Sequence, residues 1–166
     1  MSTQFKHNSA IYIAAALVWS VFPGLISAAW AAGRPSADIP DSQPGADKRR
    51  QANVHFRQGE AHADQMRYQE AARAYERAVE IDGSYAEAYS NLGYSYRKQG
   101  LFDKAVAAYK RAIALDPELA EAYEYLGEAY AEMKQFDLAE AQLKVLKRLD
   151  QEEARELESF IEKMKP

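Results

Sequence analysis

Cysteine is absent from this chain of 166 residues. The protein therefore has no disulfide, no thiolate nucleophile and no cysteine-based zinc site, although this absence does not fix its redox compartment. The sequence also contains no glycine-rich phosphate loop, no nucleophile elbow and no metal-spaced set of histidine and glutamate residues. Since no group of residues meets the usual requirements of an active site, we expect a non-enzymatic protein that uses no cofactor and no metal.

Two further scarcities exclude classes of ligand. His55 and His62 are seven residues apart, which is roughly 10 Å along a helix, too far for the two rings to share one ion without other ligands. Their polar character instead fits a solvent-facing end of the molecule. Positive charge is also in deficit, because the net charge is −4 at pH 7. We therefore expect no nonspecific binding of nucleic acid.

Charge is absent from the apolar run Ala10–Phe22, which is followed by small residues at Ala29 and Ala31. A short apolar run before a small-x-small pattern is typical of a secretory signal peptide, so residues 1–31 are predicted to be removed on export. The mature domain is then periplasmic or secreted, with no stable membrane insertion. The alternative is an uncleaved anchor in the inner membrane formed by residues 10–32, which leaves the rest of the chain on the same outer side.

Proline is concentrated just after this segment. Pro35, Pro40 and Pro44 are three of only six prolines in the sequence. Such a proline-rich stretch with few apolar residues predicts a flexible linker over 32–47. Asp47 is predicted to cap the first helix of the domain that follows, which extends to the end of the chain as 48–166.

A period of 34 residues organises the rest of the sequence. Three units follow one another without a gap, over 52–85, 86–119 and 120–153. Small residues recur at equivalent positions of the three units: Gly59, Gly93 and Gly127 at the eighth position, and Ala71, Ala105 and Ala139 at the twentieth. Large residues recur beside them, including Tyr75 and Tyr109, Leu92 and Leu126, and Tyr96 and Tyr130.

These residues and their spacing resemble the tetratricopeptide repeat family. The resemblance implies an all-α fold, a right-handed α-solenoid in which each unit is an antiparallel pair of helices, A and B. The residues support it independently, because helices whose axes lie ~8–10 Å apart need small side chains where they cross. A glycine within a helix costs about 1 kcal/mol relative to alanine. Its recurrence therefore indicates a close approach at Gly59, Gly93 and Gly127.

Helix ends can also be assigned from the sequence. Ser84 with Glu87 predicts a capping box, and Asp116 before Pro117 predicts a second cap. Asp150 is predicted to cap a last helix over 152–165. Ala154, Leu157, Ile161 and Met164 form an apolar stripe on that helix, as expected of a capping helix that covers the last repeat. A membrane-surface helix is the alternative, but its many acidic charges disfavour anionic lipid.

The resemblance further implies that the A helices line a concave groove. Carried onto this chain, the family's groove positions give these partner-binding candidates: Asn53, Phe56, Arg57 and Glu60 in the first unit; Glu87, Asn91, Tyr94, Arg97 and Lys98 in the second; and Glu121, Glu124, Tyr125 and Glu128 in the third. In the clamp that some family members use for acidic C-termini, lysine and asparagine occupy groove positions. Only Asn91 fits it here, which disfavours an adaptor for chaperone tails.

The groove candidates allow two interpretations each. Tyr94 and Tyr125 are either exposed anchors for a partner or shields for neighbouring helices. The glutamates of the third unit either attract a basic or amine-bearing segment or form a solvated acidic face. Arg97 and Lys98 are expected to meet a carboxylate of the partner.

Two functions follow from this reading of the sequence. The first is an adaptor or assembly factor of a bacterial-type cell envelope that binds a protein or peptide segment in its groove. The second is a self-associating scaffold that forms homo-oligomers.

Overall fold

Seven α-helices account for the fold of residues 44–166, the part of the chain that the computed structural model describes. No strand occurs in this part. The helices are α1 (Pro44–Ala63), α2 (Tyr68–Ile81), α3 (Ala86–Lys98), α4 (Phe102–Leu115), α5 (Ala120–Glu132), α6 (Phe136–Leu149) and α7 (Gln151–Met164). The predicted signal peptide, and the linker as far as residue 43, lie outside the described residues.

The first six helices form three pairs. The A helices α1, α3 and α5 pack on the B helices α2, α4 and α6, and each B helix but the last also packs on the next A helix. Successive A helices touch as well, α3 with α5 and α5 with α7. This contact curves the stack so that the A helices and α7 lie on its inner side. The prediction of an all-α solenoid of helix pairs with a C-terminal capping helix is confirmed.

The core is built around the repeated glycines, but a ring rather than a backbone makes the close approach. A Cβ atom added to Gly93 would lie 2.7 Å from the Tyr109 ring, and one added to Gly59 would lie 2.5 Å from the Tyr75 ring. In the third unit the same place is taken by Leu157 of α7, 2.6 Å from an added Cβ at Gly127. The capping helix therefore completes the core of the third unit.

Two of the predicted helix caps are wrong. Ser84 donates from its N–H and its hydroxyl to Asp82, at 3.0 and 2.6 Å, and does not cap α3. Asp116 accepts from the N–H of Glu118 at 2.9 Å within the loop before α5. Both aspartates stabilise a loop between repeats, because two or more residues separate them from the next helix. Asp150 has no such interval and caps α7 directly, accepting from the N–H groups of the next two acidic residues at 2.7 and 3.1 Å.

The first helix begins earlier than predicted. Residues 44–47 were expected to belong to the linker with Asp47 as a cap, but α1 starts at Pro44 and Asp47 lies in its first turn. Proline suits the first position of a helix because the N–H it lacks has no partner there. An acidic side chain in the first turn is favoured by the helix dipole. Among residues 44–166, no helix has both the length and the apolar character needed to cross a bilayer.

Candidate functional site

The predicted groove residues of the first unit divide into structural and exposed side chains. Asn53 accepts a hydrogen bond from the Tyr85 hydroxyl at 2.5 Å. Phe56 stacks on Tyr85 with ring centroids 4.9 Å apart, so its ring belongs to the core between the first two units. Arg57 and Glu60 are exposed. Only these two remain available to a ligand at this end of the groove.

The expectation that Arg97 meets a partner's carboxylate is wrong. Its side chain is only 3% exposed, and its guanidinium is paired with Glu128 at 2.5 Å and Glu132 at 2.7 Å. Burial lowers the pKa of Arg97 and the carboxylate of Glu128 raises it, with a net increase. Arg97 is therefore a charged link between the second and third units. Its charge is already offset within the chain.

Other candidates of the second unit stay accessible. Glu87 is exposed and Asn91 is half-buried. Lys98 is exposed and places its Nζ atom 5.1 Å from the centre of the Tyr94 ring. Lys98 is thus the accessible cation at the middle of the groove, one residue from the buried Arg97.

A row of tyrosine rings crosses the inner face from the second unit to the third. The centroids of Tyr94 and Tyr125 lie 5.2 Å apart, Tyr68 of α2 lies 6.0 Å from Tyr94, and Tyr109 lies 6.1 Å from Tyr125. We call these four residues the aromatic row. Tyr94 and Tyr125 are both half-buried, so each ring shields its neighbour and still presents an edge to the groove.

Beside the aromatic row, α5 and α7 enclose an acidic cleft of about 510 Å³. Its walls are Glu124 and Glu128 of α5 and Glu152, Arg155, Glu156, Ser159, Phe160 and Lys163 of α7. The sequence analysis assigned α7 to capping alone and so missed its six cleft residues. The available signal was their position, because acidic residues of α7 and α5 share the equivalent side of successive inner helices.

Burial and mutual repulsion disfavour the ionised form of the glutamates here. The pKa of Glu124 is raised to about 8, first by burial and then by the neighbouring carboxylates, Glu128 and Glu153 foremost. Burial and Glu87 raise the pKa of Glu121, with Ser90 opposing. Burial also raises the pKa of Glu128, although Arg97 opposes the shift. A cation entering the cleft would favour the ionised forms and so find complementary charge.

The arrangement is suited to holding a ligand by contact and charge rather than to bond chemistry. Among residues 44–166, no three histidine, aspartate or glutamate side chains are grouped so that they could hold a metal ion. The aromatic row offers flat apolar surface, and the cleft beside it offers negative charge. The structure thus brings together Tyr94, Tyr125, Glu124 and Glu128, whereas Arg57 and Glu60 lie in the first unit, away from them.

Comparison with known proteins agrees with this architecture. The profile described as "TPR repeat" matches residues 52–100 and 93–134. The TPR domain of OM64 from Arabidopsis is 20% identical with a TM-score of 0.66, and the match covers 70% of this chain and 98% of that domain. No curated protein matches the sequence significantly.

Two further solved structures carry bound segments. The complex titled "TPR2B-domain:pHsp70-complex of yeast Sti1" is 24% identical, with a TM-score of 0.64 over 70% or more of both chains, 71% of this one and 96% of that one. The second TPR domain of human RPAP3, in complex with the HSP70 peptide SGPTIEEVD, is 22% identical with a TM-score of 0.65, covering 69% of this chain and 98% of that one. With matched segments spanning 52–134 and the repeat geometry described above, the chain belongs to the tetratricopeptide repeat family.

Proposed function

We propose that this protein is a non-enzymatic interaction module whose concave groove binds a segment of a partner protein. The observation that carries the proposal is the contact between the aromatic row and the acidic cleft on one inner face. Half-buried aromatic rings make good anchors because they give a large contact area at low entropic cost. Structural relatives in complex with peptide segments support the general role.

The partner segment is basic or amine-bearing. The peptide bound by human RPAP3 ends in the acidic sequence EEVD. Here Arg97 is neutralised by Glu128 and Glu132, and the end of the groove carries an excess of carboxyl groups. An acidic segment would be repelled there, whereas a lysine or arginine side chain would be attracted. An apolar residue of the same segment would lie on Tyr94 and Tyr125.

Variants of one helix test the groove. A basic peptide is first selected from a random library against the wild-type protein, and its affinity is measured by calorimetry. Tyr94→Ala should weaken binding at least about tenfold, since loss of an aromatic anchor costs about 2 kcal/mol. Tyr89→Ala is the matched control, because Tyr89 is a half-buried tyrosine of the same helix whose ring faces Arg111 of α4.

Equal losses in the two tyrosine variants, with the helical far-UV spectrum intact, would reject the groove. Self-association is distinguished by light scattering of the same preparations. A mass that rises with protein concentration would support the homo-oligomeric scaffold in place of the adaptor.

We further infer that the protein works in a bacterial-type cell envelope as an adaptor or assembly factor. The inference rests on the signal-peptide pattern ending at Ala31. The intact mass of the exported protein tests it. A chain beginning at Ala32 is expected, while a mass that includes residues 1–31 would favour the inner-membrane anchor.

A further inference from the structure

The capping helix is fixed to the third unit by an apolar contact that the other units make for themselves. Leu157 occupies the space over Gly127 that tyrosine rings occupy over the equivalent glycines. Ala154, Leu157 and Ile161 are all buried. Because α7 supplies this contact, any force that pushes α7 away from α5 acts on the core of the third unit and on the wall of the acidic cleft.

Such a force is built into one edge of the interface. Glu121, Glu124 and Glu128 of α5 face Glu153 and Glu156 of α7, and the pKa shifts of these groups show that they act on one another. When all are ionised, like charges on the two helices repel across a partly buried boundary, where water screens them poorly.

Few cations oppose this repulsion. From α3, Arg97 and Lys98 act on Glu128, while Glu87 adds a further negative charge near Glu121. From α7, Arg155 and Lys163 line the cleft but are exposed, and no ion pair joins either to the cluster in the described part of the chain. Asp150 and Glu152 add negative charge at the start of α7.

A second observation marks the same edge. The Oε2 atom of Glu153 is buried and has no hydrogen-bond partner among residues 44–166. A buried carboxylate oxygen without a partner is costly, and a proton on the group removes most of that cost. The carboxyl cluster and this buried oxygen therefore both favour uptake of a proton at the contact between α5 and α7.

We propose that a proton shared by the carboxyl groups of α5 and α7 holds the capping helix closed, and that its loss loosens α7 and opens the acidic cleft. The pKa of Glu124, raised to about 8, and the raised pKa values of Glu121, Glu128 and Glu153 agree with this latch. The inference regulates the proposed groove, because α7 forms one wall of the cleft, but it requires no partner.

The direction of the pH effect follows from linkage. A carboxyl group whose pKa is higher in the folded state binds its proton more tightly there than in the unfolded chain. Its stabilising effect is complete below the ordinary pKa of 4.5 and is lost as the pH rises towards about 8. Attachment of α7 should therefore weaken across neutral pH, opposite to the behaviour of an ion-paired carboxylate.

Hydrogen exchange of the full-length protein tests the latch without any ligand. Protection factors, corrected for the intrinsic exchange rate at each pH, are compared at about pH 6 and about pH 9. Amides of α7 should lose at least about tenfold protection while those of α3 and α4 change little. Glu124→Gln, which keeps the neutral shape of the side chain, should abolish most of this loss.

The controls keep the result decisive. Glu118→Gln changes an exposed glutamate of the loop before α5 and should leave the loss of protection unchanged. If Glu124→Gln does not fold, Glu156→Gln serves instead and should reduce the loss. A fall in α7 no larger than that in α3, or one that persists in the folded cluster variant, would overturn the latch. Either result leaves the proposed groove untouched, since no partner is present.

Discussion

Arg97 illustrates how burial changes the meaning of a charged residue. Its position in the second A helix is a groove position, yet its guanidinium is paired with two glutamates of the third unit. Those partners stand 31 and 35 residues further along the chain, one period minus three and plus one. The pairing depends on how neighbouring A helices lie side by side, and charge alone in the sequence does not indicate it.

Loss of the Arg97 side chain should destabilise the fold. Removing one member of a buried ion pair leaves the other charge uncompensated, which costs about 3–5 kcal/mol. We expect about 3 kcal/mol for Arg97→Ala, at the low end because the side chains of Glu128 and Glu132 are 18% and 25% exposed. Urea unfolding followed by circular dichroism measures the change.

Lys98→Ala is the control at the adjacent position. Lys98 is exposed, and its removal should change the free energy of unfolding by no more than about 0.5 kcal/mol. Equal effects of the two substitutions would show that the ion-paired cluster does not stabilise the contact between the second and third units.

At the scale of the helix pair, the repeated glycine and the ring that covers it decide the packing. Gly93→Leu places a branched side chain where the Tyr109 ring already lies within 2.7 Å of an added Cβ. Overpacking of this kind costs about 1–3 kcal/mol. We expect a lower melting temperature and loss of helical signal from the second unit.

Gly83→Leu provides the comparison for this substitution. Gly83 is exposed in the loop after α2, and an added Cβ would have only the Val79 carbonyl oxygen nearby, at 3.9 Å. The melting temperature should therefore remain close to that of the wild type. A Gly93→Leu protein that melts with this control would contradict the packing of ring on glycine.

Most of the helix pairing could be predicted from the sequence because the period of 34 residues repeats both the small and the large positions. Helix ends were predicted less well. Asp82, Asp116 and Asp150 are equivalent in the repeat, yet only Asp150 caps a helix, since α7 starts at the next residue. Loop length before the following helix decides this, and the aspartate itself is the same in each unit.

At the scale of the whole molecule, the groove is uneven along its length. The first unit offers mainly structural side chains, the second offers Tyr94 and Lys98, and the third joins α7 to form the acidic cleft. The sequence could place Tyr94, Tyr125 and Glu124 on one face from periodicity alone. It could not place Phe160 and Glu156 there, because the capping helix follows the last full unit and its docking angle is not part of the repeat.

The central claim is that this inner face binds a basic segment, and its most direct measurement is a nuclear magnetic resonance footprint. Isotope-labelled protein is titrated with the library-selected basic peptide, and amide shifts are mapped onto the helices. We predict saturable shifts concentrated on α3, α5 and α7 around Tyr94, Tyr125 and Phe160, with little change on the outer helices α2, α4 and α6. Shifts concentrated on those outer helices, or equal binding of a charge-reversed acidic peptide, would contradict the assignment.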